Sequence, residues 1–558
     1  LDGRDNLLRS DKRGIAHITL KEIVWAEDRM IEFAAKGRET VPALHPNYRI
    51  KQEFLNDQQQ KAIYHLLKSK DRVSIVKGGA GVGKTSLLTE VKDAIKEAGK
   101  RFMAVAPSAH ASRGVLRDKG FQNADTITAL LQKPELQKSL KNGVLLVDEA
   151  GMVGVRTMNA LFKVARNQGA RVILSGDTKQ HASVEAGDAM RLIEEKAGIK
   201  PATVQKIVRQ KPQNYKRAIE HLAKGHTLKG FKQLDKMGAV REIEDHKDRH
   251  SEIAKAYTNS IQQKRSALIV SPTHSEGRAL SDIVREHLKE TGEIRGRERV
   301  FNTMRNLSFT QSQKQDRASY QEGYIVRFHQ NSKGGFKAGA KYEVLPGEQK
   351  DKIRVRALDE PQSPVLSLTT DQAKRFEVYR PDQTNLAKGD RLCISANGKT
   401  QQQTKLHNQS VYRVEGFTKS GDIRLSNGKT LDKDYRSFRH AYVSTSHAAQ
   451  GRDAKDIYIA QSAESFPASN EQQFYVSTSR GSERVFIYTD CKKDLKTAIT
   501  RSAERMSAKE VAHDHYRRQL QKNRIDYHQH LSKAEHGQRQ HQPSRPSLPK
   551  PGRGIERD

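Results

Sequence analysis

Between the apolar run Val73-Ser74-Ile75-Val76 and a helical stretch from Ser86 to Ala98 stands Gly78-Gly79-Ala80-Gly81-Val82-Gly83-Lys84-Thr85. Strand, glycine-rich turn, Gly-Lys-Thr and helix, in that order, form a complete P-loop pattern and dictate much of the fold around them. The glycines let successive backbone N–H groups turn inward at a helix start, which makes a nest for an anion. The predicted ligand is ATP. Gly78, Gly79, Ala80, Gly81, Val82, Gly83 and Ser86 would wrap its phosphates. Lys84 would reach the β and γ phosphates, and the Thr85 hydroxyl would hold Mg²⁺.

The acidic counterpart is Leu145-Leu146-Val147-Asp148-Glu149-Ala150, with Asp148 64 residues beyond Lys84. An apolar strand ending in two carboxylates places Asp148 near the metal and leaves Glu149 to polarise a water, if that strand neighbours the P-loop strand. Ser175-Gly176-Asp177-Thr178-Lys179-Gln180 ends the next strand, and Gln180 could sense the γ-phosphate from there.

These strands, with Phe102-Met103-Ala104-Val105 and Arg171-Val172-Ile173-Leu174, alternate with helical stretches, the pattern of a parallel sheet covered on both faces. A second alternation starts at Ala267-Leu268-Ile269-Val270 and resumes through Ala441-Tyr442-Val443-Ser444-Thr445, Ile457-Tyr458-Ile459 and Val485-Phe486-Ile487-Tyr488. The expected fold is α/β. A first parallel-sheet domain takes residues 51–245, and a second takes 246–309 and 437–498. A small β-barrel module is inserted at 310–436, where Gly421-Asp422 and Asn427-Gly428-Lys429 mark turns. Residues 1–50 read as a helical lead-in in which Trp25 packs, and 499–558 as a basic tail, helical and then disordered.

Charge narrows the partner. Lys and Arg number 100 against 66 Asp and Glu, a net +34, which points to a polyanion, nucleic acid ahead of an anionic membrane surface. No apolar run is long enough to insert in a membrane. Cys393 and Cys491 have no metal-ligand or disulfide spacing, so both are expected as free thiols in the cytoplasm.

The ordered motifs resemble those of superfamily 1 helicases, specifically the RecD-like 1B branch. Leu55-Asn56-Asp57-Gln58-Gln59 resembles its Q-motif, which implies that Gln59 contacts adenine. Ala106-Pro107-Ser108-Ala109-His110-Ala111 resembles motif Ia, and Ala124-Asp125-Thr126-Ile127-Thr128-Ala129-Leu130-Leu131 motif Ib. Ile207-Val208-Arg209-Gln210 resembles motif IV, Thr445-Ser446-His447-Ala448-Ala449-Gln450-Gly451 motif V, and Tyr475-Val476-Ser477-Thr478-Ser479-Arg480 motif VI. The resemblance implies two RecA-like domains with an SH3-like insertion. It also implies a single-strand DNA path past Pro107, Ser108, His110, Thr126, Thr445 and His447, and two arginines, Arg209 and Arg480, that approach the γ-phosphate. Within the branch, Asp148-Glu149-Ala150-Gly151-Met152-Val153-Gly154 and Ile18-Thr19-Leu20-Lys21-Glu22 resemble the helicase half of the MobF-type conjugative relaxases.

The resemblance implies a DNA-dependent ATPase that travels 5′→3′ on single-stranded DNA and acts at single-strand/duplex junctions. Relaxosome and type IV secretion proteins would be its partners. A RecD-like repair helicase is one alternative, and a DNA-binding or secretion-docking module with weak ATPase activity is another. The nicking module of the relaxases carries a His-hydrophobic-His metal motif and N-terminal tyrosines, and neither is found. His513-Asp514-His515 and His528-Gln529-His530 sit in polar, basic sequence and are expected to be solvated, so no nickase chemistry is expected in this chain.

Overall fold

The computed structural model describes residues 6–521, save 13–14, 184, 186, 348–351 and 503–504. The P-loop sheet runs, edge to edge, Asp125–Thr126, Phe102–Ala106, Val144–Val147, Arg171–Gly176, Val73–Gly78 and Ala202–Val204, every pair parallel. The acidic strand therefore does not touch the P-loop strand, although spacing allowed it; Arg171–Gly176 lies between them. Helix Lys84–Glu97 covers one face of the sheet and Val155–Asn167 the other, so the second helix carries the chain back toward the P-loop strand.

The continuous apolar runs of these strands follow from burial on both faces. Ile75, Val105, Leu145, Val147 and Leu174 join one core, while Val76, Ala104, Leu146 and Ile173 join the other. Each large apolar side chain so buried contributes about 2 kcal/mol.

The second parallel sheet is ordered Val443–Thr445, Ala267–Ser271, Ala454–Ala460, Gly481–Thr489 and Val240–Glu242. Its last strand comes from residues expected in the first domain. Helices Gln213–Ala223 and Thr227–Lys236 lead into that strand and share one apolar core with both sheets, through Tyr215, Ile219 and Phe231 beside Phe474 and Ile487.

Among the described residues, two larger antiparallel sheets and a two-stranded ribbon, Gly398–Lys399 with Lys405–Leu406, interrupt the second domain. One has six strands, from Arg295–Asn306 to Leu366–Thr369, and the other five, from Phe438–His440 to Thr430–Leu431. The first strand begins at Arg295, ahead of the boundary read from sequence, because Arg295–Asn306 pairs along Phe376–Lys388. The described pairings leave two edges on each sheet, and SH3-like closure is not among them.

The lead-in is not all helix. Leu7–Lys12 and Ile15–Leu20 form an antiparallel hairpin before helix Lys21–Lys36. That helix buries Met30, Phe33 and Ala34, while Trp25, expected to pack, is 57% exposed on its other side. Residues 508–521 are helical and close back on the lead-in. Glu27 accepts from the backbone N–H of Ala508 and Lys509, and Leu8 packs on Val511 and Ala512. The tail beyond residue 521 lies outside the described residues, and with it His528-Gln529-His530.

Candidate active site between the two sheets

The P-loop forms as its sequence requires. Gly81 and Gly83 adopt φ of 76° and 78°, a region that disfavours any side chain, and helix Lys84–Glu97 begins directly after them. Lys84 Nζ donates to the carbonyls of Gly78 (2.5 Å) and Gly79 (3.1 Å), which holds its charge at the mouth of the nest. Thr85 and Ser86 are half-buried in the first turn.

Asp148 and Glu149 follow the acidic strand, Glu149 with a left-handed φ of 51°. Ser175 Oγ, at the end of the intervening strand, donates to Asp148 Oδ1 at 3.0 Å. Burial, and then the neighbouring Glu149 charge, pushes the Asp148 carboxyl up to about 6, with Lys84 and Ser175 opposing. Hard oxygen donors on Thr85 and Asp148, in a pocket that penalises an uncompensated carboxylate, suit a small dication such as Mg²⁺.

Residues of the second sheet close on this centre. Gln450 Nε2 donates to Glu149 Oε2 at 3.1 Å. Arg209 Nη1 and Gln210 Nε2 both donate to the Ser479 carbonyl at 3.1 Å, and Tyr215 donates to that of Thr478 at 2.5 Å. The N–H groups of Val208 and Arg209 donate to Gly81 O, so motif IV is stitched directly to the P-loop. Arg480 is 3% exposed and donates to Val476 O and Ser479 Oγ. Burial, and then the adjacent Arg209, draws its guanidinium down to about 10. Among the described residues it makes no ion pair, so it is a desolvated cation held beside a second cation.

Gln180 is buried, its Nε2 donating to Asp177 Oδ2 at 3.2 Å, and among the described residues its Oε1 has no partner. Gln59 has both ends of its amide engaged. Nε2 donates to Val82 O and Oε1 accepts from Asn56 N, a capping box that ties helix Asp57–Lys68 to the loop. The residue expected at adenine also braces the P-loop.

The expected DNA-path residues lie at the ends of strands and starts of helices. Ser108, Thr126 and Thr445 each cap a following turn, accepting from the N–H of Ala111, Ala129 and Ala448. Pro107 and His110 are half-buried, and His110 opens a π-helical turn, His110–Leu116. His447 stacks on His181 of the first domain, ring centroids 3.7 Å apart. Burial, then His447 and Arg480, pushes His181 down to about 3, so the stacked ring is neutral. Arg113, beside motif Ia, meets His407 of the insertion at 2.8 Å and Asp125 at 2.8 Å.

Sequence alone did not single out Tyr475, Gln450, Gln210, Ser175 or Asp177 as site residues. All five fall inside the motif segments that sequence marks. The partners of most lie far along the chain, as for Ala80 and Tyr475, 395 residues apart. Of the histidine pairs, His515 bonds Arg9 backbone and Asp514 accepts from Ser10, so that cluster fastens the lead-in hairpin. Among the described residues no His, Cys, Asp and Glu group is arranged to hold a metal by itself, and no helix is long and apolar enough to cross a membrane. Cys393 and Cys491 are free thiols.

The family described as an AAA domain matches residues 54–245. The multifunctional conjugation protein TraI of Escherichia coli is 24% identical over 549 residues, covering 87% of this chain and 30% of TraI. The chain thus spans about a third of that relative's length. The RecBCD enzyme subunit RecD of Mycobacterium tuberculosis is 35% identical over 144 residues, 21% of this chain and 25% of RecD. A Pif1 helicase from Bacteroides, solved with ADP-AlF3 and single-stranded DNA, aligns with a TM-score of 0.41 at 15% identity, covering 81% of this chain and 95% of that one. By its AAA domain and by similarity along most of its length, the chain resembles the RecD-like superfamily 1 helicases and, among them, the conjugative relaxase-helicases.

Proposed function

We propose that this chain is an ATP-dependent DNA helicase, a cytoplasmic motor that tracks single-stranded DNA 5′→3′ as part of a conjugative relaxase. The observation that carries the reading is the convergence, in one cleft, of the P-loop, Asp148 and Glu149 from the first sheet with Arg480 and Gln450 from the second. Thr85 and Asp148 would hold Mg²⁺, which would screen the phosphate charge. Lys84 binds the terminal phosphates, Glu149 orients the attacking water, and Arg209 and Arg480 offset charge on the transferring phosphoryl group when the domains close. Closing and opening the cleft moves one DNA grip relative to the other. Ser108, Thr126 and Thr445, at helix starts on both domains, grip the backbone, and the +34 charge supplies affinity without sequence choice. Relaxosome and secretion proteins are the partners this role implies.

Direction is the decisive test, since it follows from the resemblance to the 1B branch. With ATP and Mg²⁺, the chain displaces a fluorescent strand from a duplex with a 5′ single-stranded tail and leaves a 3′-tailed duplex intact. Preference for the 3′ tail would remove the chain from that branch.

A second expectation concerns pH. With Asp148 near 6, its carboxyl is protonated below that value and loses its capacity to ligate a cation. Mg²⁺-dependent nucleotide affinity should therefore fall up to about tenfold per unit as pH drops below 6, and stay level above it. Titrations with and without Mg²⁺, repeated on Asp148→Asn, isolate this component; a flat profile in the unaltered chain would contradict it.

A further inference from the structure

The Ala80 N–H belongs to the loop that the proposed site offers to phosphate, and it has one hydrogen to give. It donates to the hydroxyl of Tyr475 at 2.8 Å, and that hydroxyl donates in turn to Asp177 Oδ2 at 3.3 Å. The contact is close enough that a Cβ on Gly79 would meet the Tyr475 hydroxyl at 2.7 Å. Tyr475 is 2% exposed, and burial followed by the Asp177 charge holds its phenol well above the ordinary tyrosine value, so it remains neutral. It stands on helix Glu471–Thr478 of the second domain, whose C-terminal end leads directly to Arg480. Asp177 Oδ2 also accepts from Gln180. One hydroxyl thus joins the P-loop, the strand end that bears Gln180, and the helix that carries Arg480.

Resting on the nucleotide-site reading, we infer that the Tyr475 hydroxyl is a positioning device that competes with nucleotide for the Ala80 amide. A phosphate oxygen that takes this N–H displaces the hydroxyl and frees helix Glu471–Thr478 from the loop. Asp177 loses one donor, and Arg480 shifts with its helix. Tyr475 does no chemistry on the phosphate. It makes occupancy of the loop and the position of the second domain mutually dependent, which is the linkage a translocating motor needs.

The test uses the full chain, a fluorescent ATP analogue and a single-stranded oligonucleotide. Tyr475→Phe removes one oxygen and leaves the ring in its pocket. Without DNA it should bind the analogue about 2- to 10-fold more tightly, as expected when one competing hydrogen bond is lost. KM for ATP should fall, and the ratio of DNA-stimulated to basal kcat should shrink. Asp177→Asn, which weakens the anchor of the hydroxyl, should shift affinity in the same direction, and thermal melting checks that both variants fold. Unchanged or weaker binding by Tyr475→Phe, with DNA stimulation intact, would overturn the inference while leaving the nucleotide site standing. Failure of the unaltered chain to bind the analogue would instead remove the site reading on which the inference rests.

Discussion

Lys84→Ala is expected to reduce ATP hydrolysis to background while leaving affinity for single-stranded DNA within a few-fold. The ammonium group sits 2.5 Å and 3.1 Å from two P-loop carbonyls, so its charge is already placed at the nest before any phosphate arrives. Alanine deletes that charge and keeps the loop, whose shape is set by Gly81, Gly83 and the Gln59 brace. The residues proposed for the DNA path belong to other strand ends, at Ser108, Thr126 and Thr445, and would lose nothing directly. A radiometric or coupled ATPase assay, with and without oligonucleotide, reads the first half, and fluorescence anisotropy the second. Retained DNA-stimulated turnover would show that phosphate is held elsewhere.

Arg480→Ala should slow turnover by about 10³-fold, with nucleotide affinity changed far less. A buried guanidinium without a carboxylate partner among the described residues, next to a second arginine, is costly to keep. Its removal should therefore leave the melting temperature of the nucleotide-free chain unchanged or raised, the reverse of the usual loss on truncating a buried side chain. Lower stability together with normal hydrolysis would mark Arg480 as a packing residue of helix Glu471–Thr478. Normal hydrolysis with weakened DNA binding would move it to the DNA path.

The P-loop, the acidic strand and both alternating sheets were legible in sequence because each rests on local chemistry. Glycines take positive φ, apolar runs are buried on two faces, and carboxylates end strands. What could not be read was the order of strands across the sheet, since Arg171–Gly176 inserts between two strands that spacing alone allowed as neighbours. Gln59 was only partly legible for a related reason. Its capping box is local and visible in Asn56-Asp57-Gln58-Gln59, but its hold on Val82 needs the fold. Tyr475 and Gln450 were read as members of motifs and not as contacts, because the groups they meet, Ala80 and Glu149, lie in the other domain. Trp25 was placed inside by residue type, although helix Lys21–Lys36 has enough Met, Phe and Ala on its inner face to leave it outside.

The strand Val240–Glu242 bears on how this protein can be divided. Residues 54–245 match a known domain, which invites a cut at 245 to obtain an independent ATPase fragment. That fragment would carry away the edge of the other sheet. Gly481–Thr489 would lose its pairing to Val240, Arg241 and Glu242 and present bare N–H and C=O groups, a template for self-association. The piece that keeps 54–245 would in turn expose Ile219, Phe231 and Val240 of the shared core to water. A severance that respects the architecture falls earlier, in the stretch 205–212 between strand Ala202–Val204 and helix Gln213–Ala223. If made after Arg209, it would also separate that residue from the fold that carries Ser479, so the two halves could be purified but would regain the cleft only on remixing.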